Sequence, residues 1–143
     1  MEEFKYDLTY FEYEIKDNNI IIKTKEYEIN NEELLRIDLT NSYLIKAFND
    51  NGRLPLTYKG ILDKILIEFK AKKLKEISLY KSRIIDGEFT DKGYYYLEDI
   101  NVSYPGLSAN NCMKEILNLL NHLTINFQIK IRLNDGKYLK FKK

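Results

Sequence analysis

A thiol and an imidazole are the first places to look for chemistry in this chain of 143 residues, because Cys112 and His122 are its only cysteine and only histidine. Together they would supply a thiolate nucleophile and its base. The segment between them carries Met113, Ile116, Leu117 and Leu120 at helical spacing. Ten residues of helix separate the pair by about 15 Å along the axis and about 80° around it, too far to touch. Cys112 is therefore expected to pack beside Met113 and Ile116, and His122 to sit at a helix C-terminus, where the dipole favours it. A single cysteine excludes an internal disulfide and any Cys-cluster zinc site. Glu98 and Asp99, in YYYLEDINV, would be neighbours on a strand and point to opposite faces, so they form no carboxylate pair. Glu98 shares its face with Tyr94 and Tyr96, a face expected to be solvated. P-loop, Rossmann, EF-hand and HExxH patterns are absent. No catalytic residue, metal ligand or cofactor is assigned, and the expectation leans away from an enzyme.

Charge is more informative. The net charge is +1, but residues 1–50 hold 6 cations and 12 anions whereas residues 101–143 hold 7 and 2. Six of those seven cations lie in the final stretch, KIRLNDGKYLKFKK. A three-residue loop over Asn134 to Gly136, with Gly136 left-handed, sets Ile131 opposite Leu139 and Ile129 opposite Phe141. The other face of the hairpin then carries Gln128, Lys130, Arg132, Tyr138, Lys140 and Lys142, with Lys130 across from Lys140. Like charges so placed are mildly unfavourable, which invites an anion from elsewhere. Three sources are open: an edge-strand guard role or the chain's own Glu12, Glu26 or Glu28; an acidic protein surface; and a nucleic-acid backbone, with Tyr138 as a stacking ring. A pI near 7.7 places nucleic acid last.

The elements that must position these residues follow from periodicity. TYFEYEIKDNNIIIKTKEYEI reads as a hairpin turning at Asn18 and Asn19, with Glu14 opposite Lys23, Glu12 opposite Lys25 and Ile15 opposite Ile22. Residues 31–48 read as a helix capped by Asn31. Residues 58–74 form the strongest amphipathic helix, and its KAKKLK end is expected to oppose the C-terminal dipole. Strands over 76–84 and 94–104 come next, then a helix from Ser108 to about His122, then the terminal pair. The order β-β-α-α-β-β-α-β-β is that of one α+β domain over 1–143, mainly antiparallel sheet with two or three helices. No apolar run approaches the ~20 residues that would cross a bilayer, and the acidic, alternating start is no signal peptide; the expected compartment is cytoplasmic.

YYYLEDINVSYPGLSANNCMKEILNLL resembles the fourth strand, pyrophosphate loop and following helix of the GNAT acetyltransferases, over about 30 residues. The resemblance implies acetyl-CoA held by backbone N–H groups of the loop. The three defining loop positions fall on Pro105, Ser108 and Asn110, and all three depart from the family's pattern.

The expectation is a non-catalytic binding protein with a macromolecular partner, protein first and nucleic acid second. Its contact residues are Lys130, Arg132, Tyr138, Lys140 and Lys142, with Tyr94, Tyr96 and Tyr104 as a second set. With only 3 Ala and 4 Arg beside abundant Ile, Lys and Asn, the composition follows AT-rich codons and points to a phage or mobile-element inhibitor of a host defence system, or an immunity-type protein. A divergent acyl-CoA-dependent transferase and a small-nucleotide sponge with a tyrosine-lined pocket are the alternatives.

Overall fold

In the terminal hairpin, turn chemistry and apolar alternation agree, and the backbone follows both. The computed structural model describes residues 11–143. Its strands and helices run β1 (Phe11–Lys16), β2 (Asn19–Thr24), β3 (Glu26–Ile29), α1 (Asn31–Arg36), β4 (Tyr43–Asn49), β5 (Gly52–Arg53), α2 (Tyr58–Leu66), α3 (Ala71–Ile77), β6 (Ile85–Asp86), β7 (Tyr94–Leu97), β8 (Val102–Pro105), α4 (Ala109–Leu120), β9 (Phe127–Arg132) and β10 (Tyr138–Lys142). This is an α+β domain built mostly from antiparallel sheet. Five strands form the main sheet in the order β3-β10-β9-β4-β5, and β6-β8-β7 and β1-β2 form two smaller sheets. Among the described residues, only β3 runs parallel to its neighbour, β10.

One face of the main sheet is the floor of the core. Leu44, Ala47, Ile129, Ile131, Leu139 and Phe141 are buried there, in one cluster with Ile61, Leu62, Ile65 and Leu66 of α2 and Met113, Ile116, Leu117 and Leu120 of α4. Helices α2 and α4 pack against each other. Among the described residues no helix is long and apolar enough to cross a membrane.

Local chemistry moves several boundaries from their expected places. The helix expected over 31–48 ends at Arg36. Asn30, not Asn31, caps it, accepting from Glu33 N at 2.8 Å while Glu33 Oε1 accepts from Asn30 N at 3.2 Å, a reciprocal capping box. Asp38 Oδ1 then accepts from Thr40 N at 2.9 Å and Asn41 turns left-handed at φ 57, which diverts the chain into β4. A bulge at Ile45 lets Leu44 and Ala47, three residues apart, both face the core. That spacing imitates a helix.

The helix expected over 58–74 is interrupted. Glu68 N and Phe69 N bond to carbonyls three residues back, closing α2, and α3 starts again at Ala71. Lys72 and Lys73 thus lie in the first turn of α3 rather than near a C-terminal dipole, and Lys75 pairs with Asp86. The strand expected over 76–84 is instead the end of α3, a turn at Ser78 and a 3-10 turn at Lys81–Arg83. The strand expected over 94–104 is split by a 3-10 turn at Glu98–Ile100 and by Asn101 at φ 48, so that β7 and β8 fold back on each other.

The first hairpin forms, but it turns at Asp17 and Asn18, with φ 52 and 64. Glu14 faces Ile21, Ile15 faces Ile20 and Glu12 faces Lys23. The expected Glu14–Lys23 attraction survives as a diagonal ion pair of 3.0 Å.

Candidate functional site

The open face of the main sheet is assembled from the alternation of β9 and β10. Gly136, at φ 91, lets its N–H reach Leu133 O at 2.9 Å while Leu133 N donates to Lys137 O at 2.8 Å. The register that follows pairs Ile131 with Leu139, Lys130 with Lys140 and Ile129 with Phe141, as expected from the sequence. The apolar side turns inward, and Arg132, Lys140 and Lys142 are exposed on the other.

Neither strand lies at an edge, so the cations do not guard one: β10 sits between β3 and β9, and β9 between β10 and β4. Their neighbours complete three ranks across the sheet. Tyr43, Arg132, Tyr138 and Glu26 form the first; Lys46, Lys130, Lys140 and Glu28 the second; Phe48, Gln128 and Lys142 the third, with Arg53 beside Phe48. A depression of about 220 Å³ lies over the middle, lined by Glu26, Lys46, Phe48, Gln128, Lys130 and Lys140.

The row of cations is partly answered from within, by Glu26, one of the chain's own carboxylates left open as a source. Lys130 reaches across β10, its Nζ 5.4 Å from the Tyr138 ring centroid, and donates to Glu26 Oε1. That hydrogen bond, with the further charges of Lys140 and Lys46, holds the Glu26 carboxyl below its ordinary range. Because its folded value is depressed, the stabilisation is present at neutral pH and is lost as pH falls through that lowered value. Among the described residues, Lys46, Arg53, Arg132, Lys140 and Lys142 make no ion pair. Six cations therefore share the face with two carboxylates.

The second expected set is dispersed. Tyr94 and Tyr96 are half-buried on one side of β7, their hydroxyls donating to Arg83 O at 2.8 Å and bonding Asn101 Oδ1 at 2.5 Å. Tyr104 is fully buried and offers no surface to a partner, which corrects its assignment. Its ring packs against Tyr80 and Tyr95 on the side of the sheet that meets α4. Its hydroxyl bonds Glu115 Oε2, and burial, followed by that bond, pushes its pKa far above the ordinary tyrosine value. Glu115 went unnoticed in the sequence. Fully buried on α4, it also takes Ser78 Oγ on Oε2, and Leu79 N at 3.2 Å and Asn118 Nδ2 at 3.0 Å on Oε1. A charged residue amid the apolar run of α4 was the available signal.

Cys112 and His122 are not brought together: the thiol is buried in the first turn of α4 and the imidazole is exposed beyond its end. Burial, with the charge of Asp63 adding to it, pushes the Cys112 thiol up to about 11. Native protein at pH 8 is accordingly expected to resist a thiol reagent such as DTNB and to react fully in denaturant; rapid native labelling would contradict this packing.

The stretch that resembles the acetyltransferase strand, loop and helix does not keep a single strand: it folds as β7, a 3-10 turn, β8 paired back on β7, a loop and α4. Ser108 Oγ accepts from Asn111 N at 3.2 Å, and Asn110 binds Ile37 O at 2.6 Å and Leu39 N at 3.0 Å. These contacts tie the helix N-terminus to the segment after α1. Glu98 and Asp99 are exposed. Among the described residues no group of three or more His, Cys, Asp or Glu is placed to hold a metal ion. No protein-family model, no curated protein and no solved structure matches the chain.

Proposed function

We propose that this is a non-catalytic binding protein that seats an anionic macromolecule on the open face of its five-stranded sheet. The observation that carries the reading is the middle rank, where Lys46, Lys130 and Lys140 face one another on three adjacent strands. Strands lie about 4.8 Å apart, and each facing like-charge pair costs on the order of 0.2–1 kcal/mol. Solvent-facing positions would accept any polar residue, so the fold has no need of three lysines there. An anion laid across the rank turns that repulsion into attraction.

Heparin affinity chromatography tests this on the chain itself. Despite a net charge of only +1, the protein is expected to be retained at low salt and released by added salt. Passage straight through at low salt would contradict the proposal. Glu26→Gln removes one of the two carboxylates and frees Lys130, so polyanion binding should tighten about two- to fivefold, the range of an exposed ion pair; earlier elution would count against the face. Acetyl-CoA is anionic too. Saturable calorimetric binding of acetyl-CoA that persisted without the sheet-face cations would move the ligand to residues 105–111 and overturn the reading.

A further inference from the structure

We infer that the anion is single-stranded nucleic acid, its phosphates following the lysine rank and its bases stacking on the rings at either side. This rests on the proposal above and adds the partner's class. The outer ranks carry exposed rings: Tyr43, 65% exposed, in the first, and Phe48, 38% exposed, in the third. Two residues along a strand advance about 7 Å, so the two ranks of rings lie roughly 14 Å apart with the cations between them. One ring cannot share a base with another at that distance. A charged track flanked by rings on both sides fits a chain of phosphates with bases on alternate sides. An acidic protein surface would satisfy the cations and leave the rings without a matching planar partner. A duplex keeps its bases stacked inside, and the helices that would enter a groove lie on the opposite side of this sheet. Glu26 and Glu28 close the track at the β3 edge, whereas Arg53 continues it at the other.

The test is fluorescence anisotropy with a labelled 12-residue oligo-dT and its oligo-U counterpart, competed by polyglutamate of equal charge and by the matching duplex. The single strand is expected to bind at least about tenfold more tightly than either competitor. The double variant Tyr43→Ala, Phe48→Ala is expected to weaken it about tenfold or more, by the worth of a base–ring stack, while heparin elution, which reads charge without bases, moves far less. Both rings are exposed, so circular dichroism should show the fold kept. A readout needing no variant is quenching of the chain's tyrosine emission, undisturbed because the sequence has no tryptophan. Polyglutamate or duplex binding as tightly as the single strand, with ring substitutions neutral, overturns nucleic-acid recognition and leaves the anion-binding face standing. Failure of every polyanion, heparin included, overturns both.

Discussion

Reversing four cations, Lys46→Glu, Arg132→Glu, Lys140→Glu and Lys142→Glu, is expected to lower polyanion affinity at least about 100-fold while leaving the fold intact. The magnitude follows from the lost ion pairs: at about 0.7 kcal/mol, or roughly threefold, for each exposed cation–phosphate contact, four missing contacts compound to about that factor before repulsion is added. The choice of residues matters. Lys130 is left in place because Glu26 is bonded to it, and reversing it would set two carboxylates together. Lys46 and Lys140 flank Lys130 on the neighbouring strands, so their replacement by glutamate converts two like-charge pairs into opposite-charge ones. At Lys140 the same change sets a carboxylate opposite Glu28 on β3, which offsets part of this gain, so the variant should melt near the wild-type temperature. Binding reduced by less than threefold, in a variant of undisturbed circular dichroism, would remove the face from consideration.

Glu115→Ala is expected to be the most destabilising single change described, at about 3–5 kcal/mol. The carboxyl takes four donors from three separate segments: Ser78 and Leu79 after α3, Tyr104 of β8, and Asn118 of its own helix. Alanine strands the buried hydroxyls of Ser78 and Tyr104, whereas Asn118 Nδ2 keeps Ile77 O and Leu79 is itself exposed; each buried unsatisfied donor costs on the order of 1–3 kcal/mol. Chains of this size hold about 5–15 kcal/mol in all, so roughly a fifth or more of the stability is at stake. Glutamine discriminates the cause. Leu79 N–H and Asn118 Nδ2 only donate, and an amide oxygen still serves them. The hydroxyls of Ser78 and Tyr104 can rotate to accept from the amide nitrogen. Because those two hydroxyl hydrogens then lose their acceptor, Glu115→Gln should still cost about 1–3 kcal/mol, less than alanine. Guanidinium midpoints at unchanged slope measure both, and a loss below about 1 kcal/mol for the alanine variant would contradict the network.

What the sequence disclosed depended on how far away the deciding partner lay. The register of β9 and β10 was legible because Asn134, Asp135 and Gly136 determine the loop and the apolar alternation on both sides agrees with it. The first hairpin was legible as a hairpin but not in register. Turns at Asp17–Asn18 or at Asn18–Asn19 both bring Glu14 near Lys23, once diagonally and once directly, and charge pairing alone does not separate them. β4 was hidden by its bulge, whose Leu44–Ala47 spacing is helical. Residues 76–84 were misread because Ser78 and Leu79 answer to Glu115, more than thirty positions downstream.

The candidate face divides the same way. Its cations on β9 and β10 were visible and Glu26 was one of three carboxylates named for them, whereas Lys46, Phe48 and Arg53 join only through the order β3-β10-β9-β4-β5. Alternation resumes at KAF after the bulge, and that short run was the signal that would have put Lys46 and Phe48 on one face. The near-neutral pI gives no sign of this face for a related reason. It averages over the whole chain, and this fold collects six cations and two carboxylates onto one face of the main sheet.

The most direct measurement is chemical-shift mapping on ¹⁵N-labelled protein titrated with oligo-dT. The account predicts that perturbed amides cluster in residues 26–29, 43–53 and 127–142, with the β1–β2 hairpin and the surface between α1 and α4 unmoved. Saturable shifts confined to either of those two regions would contradict it.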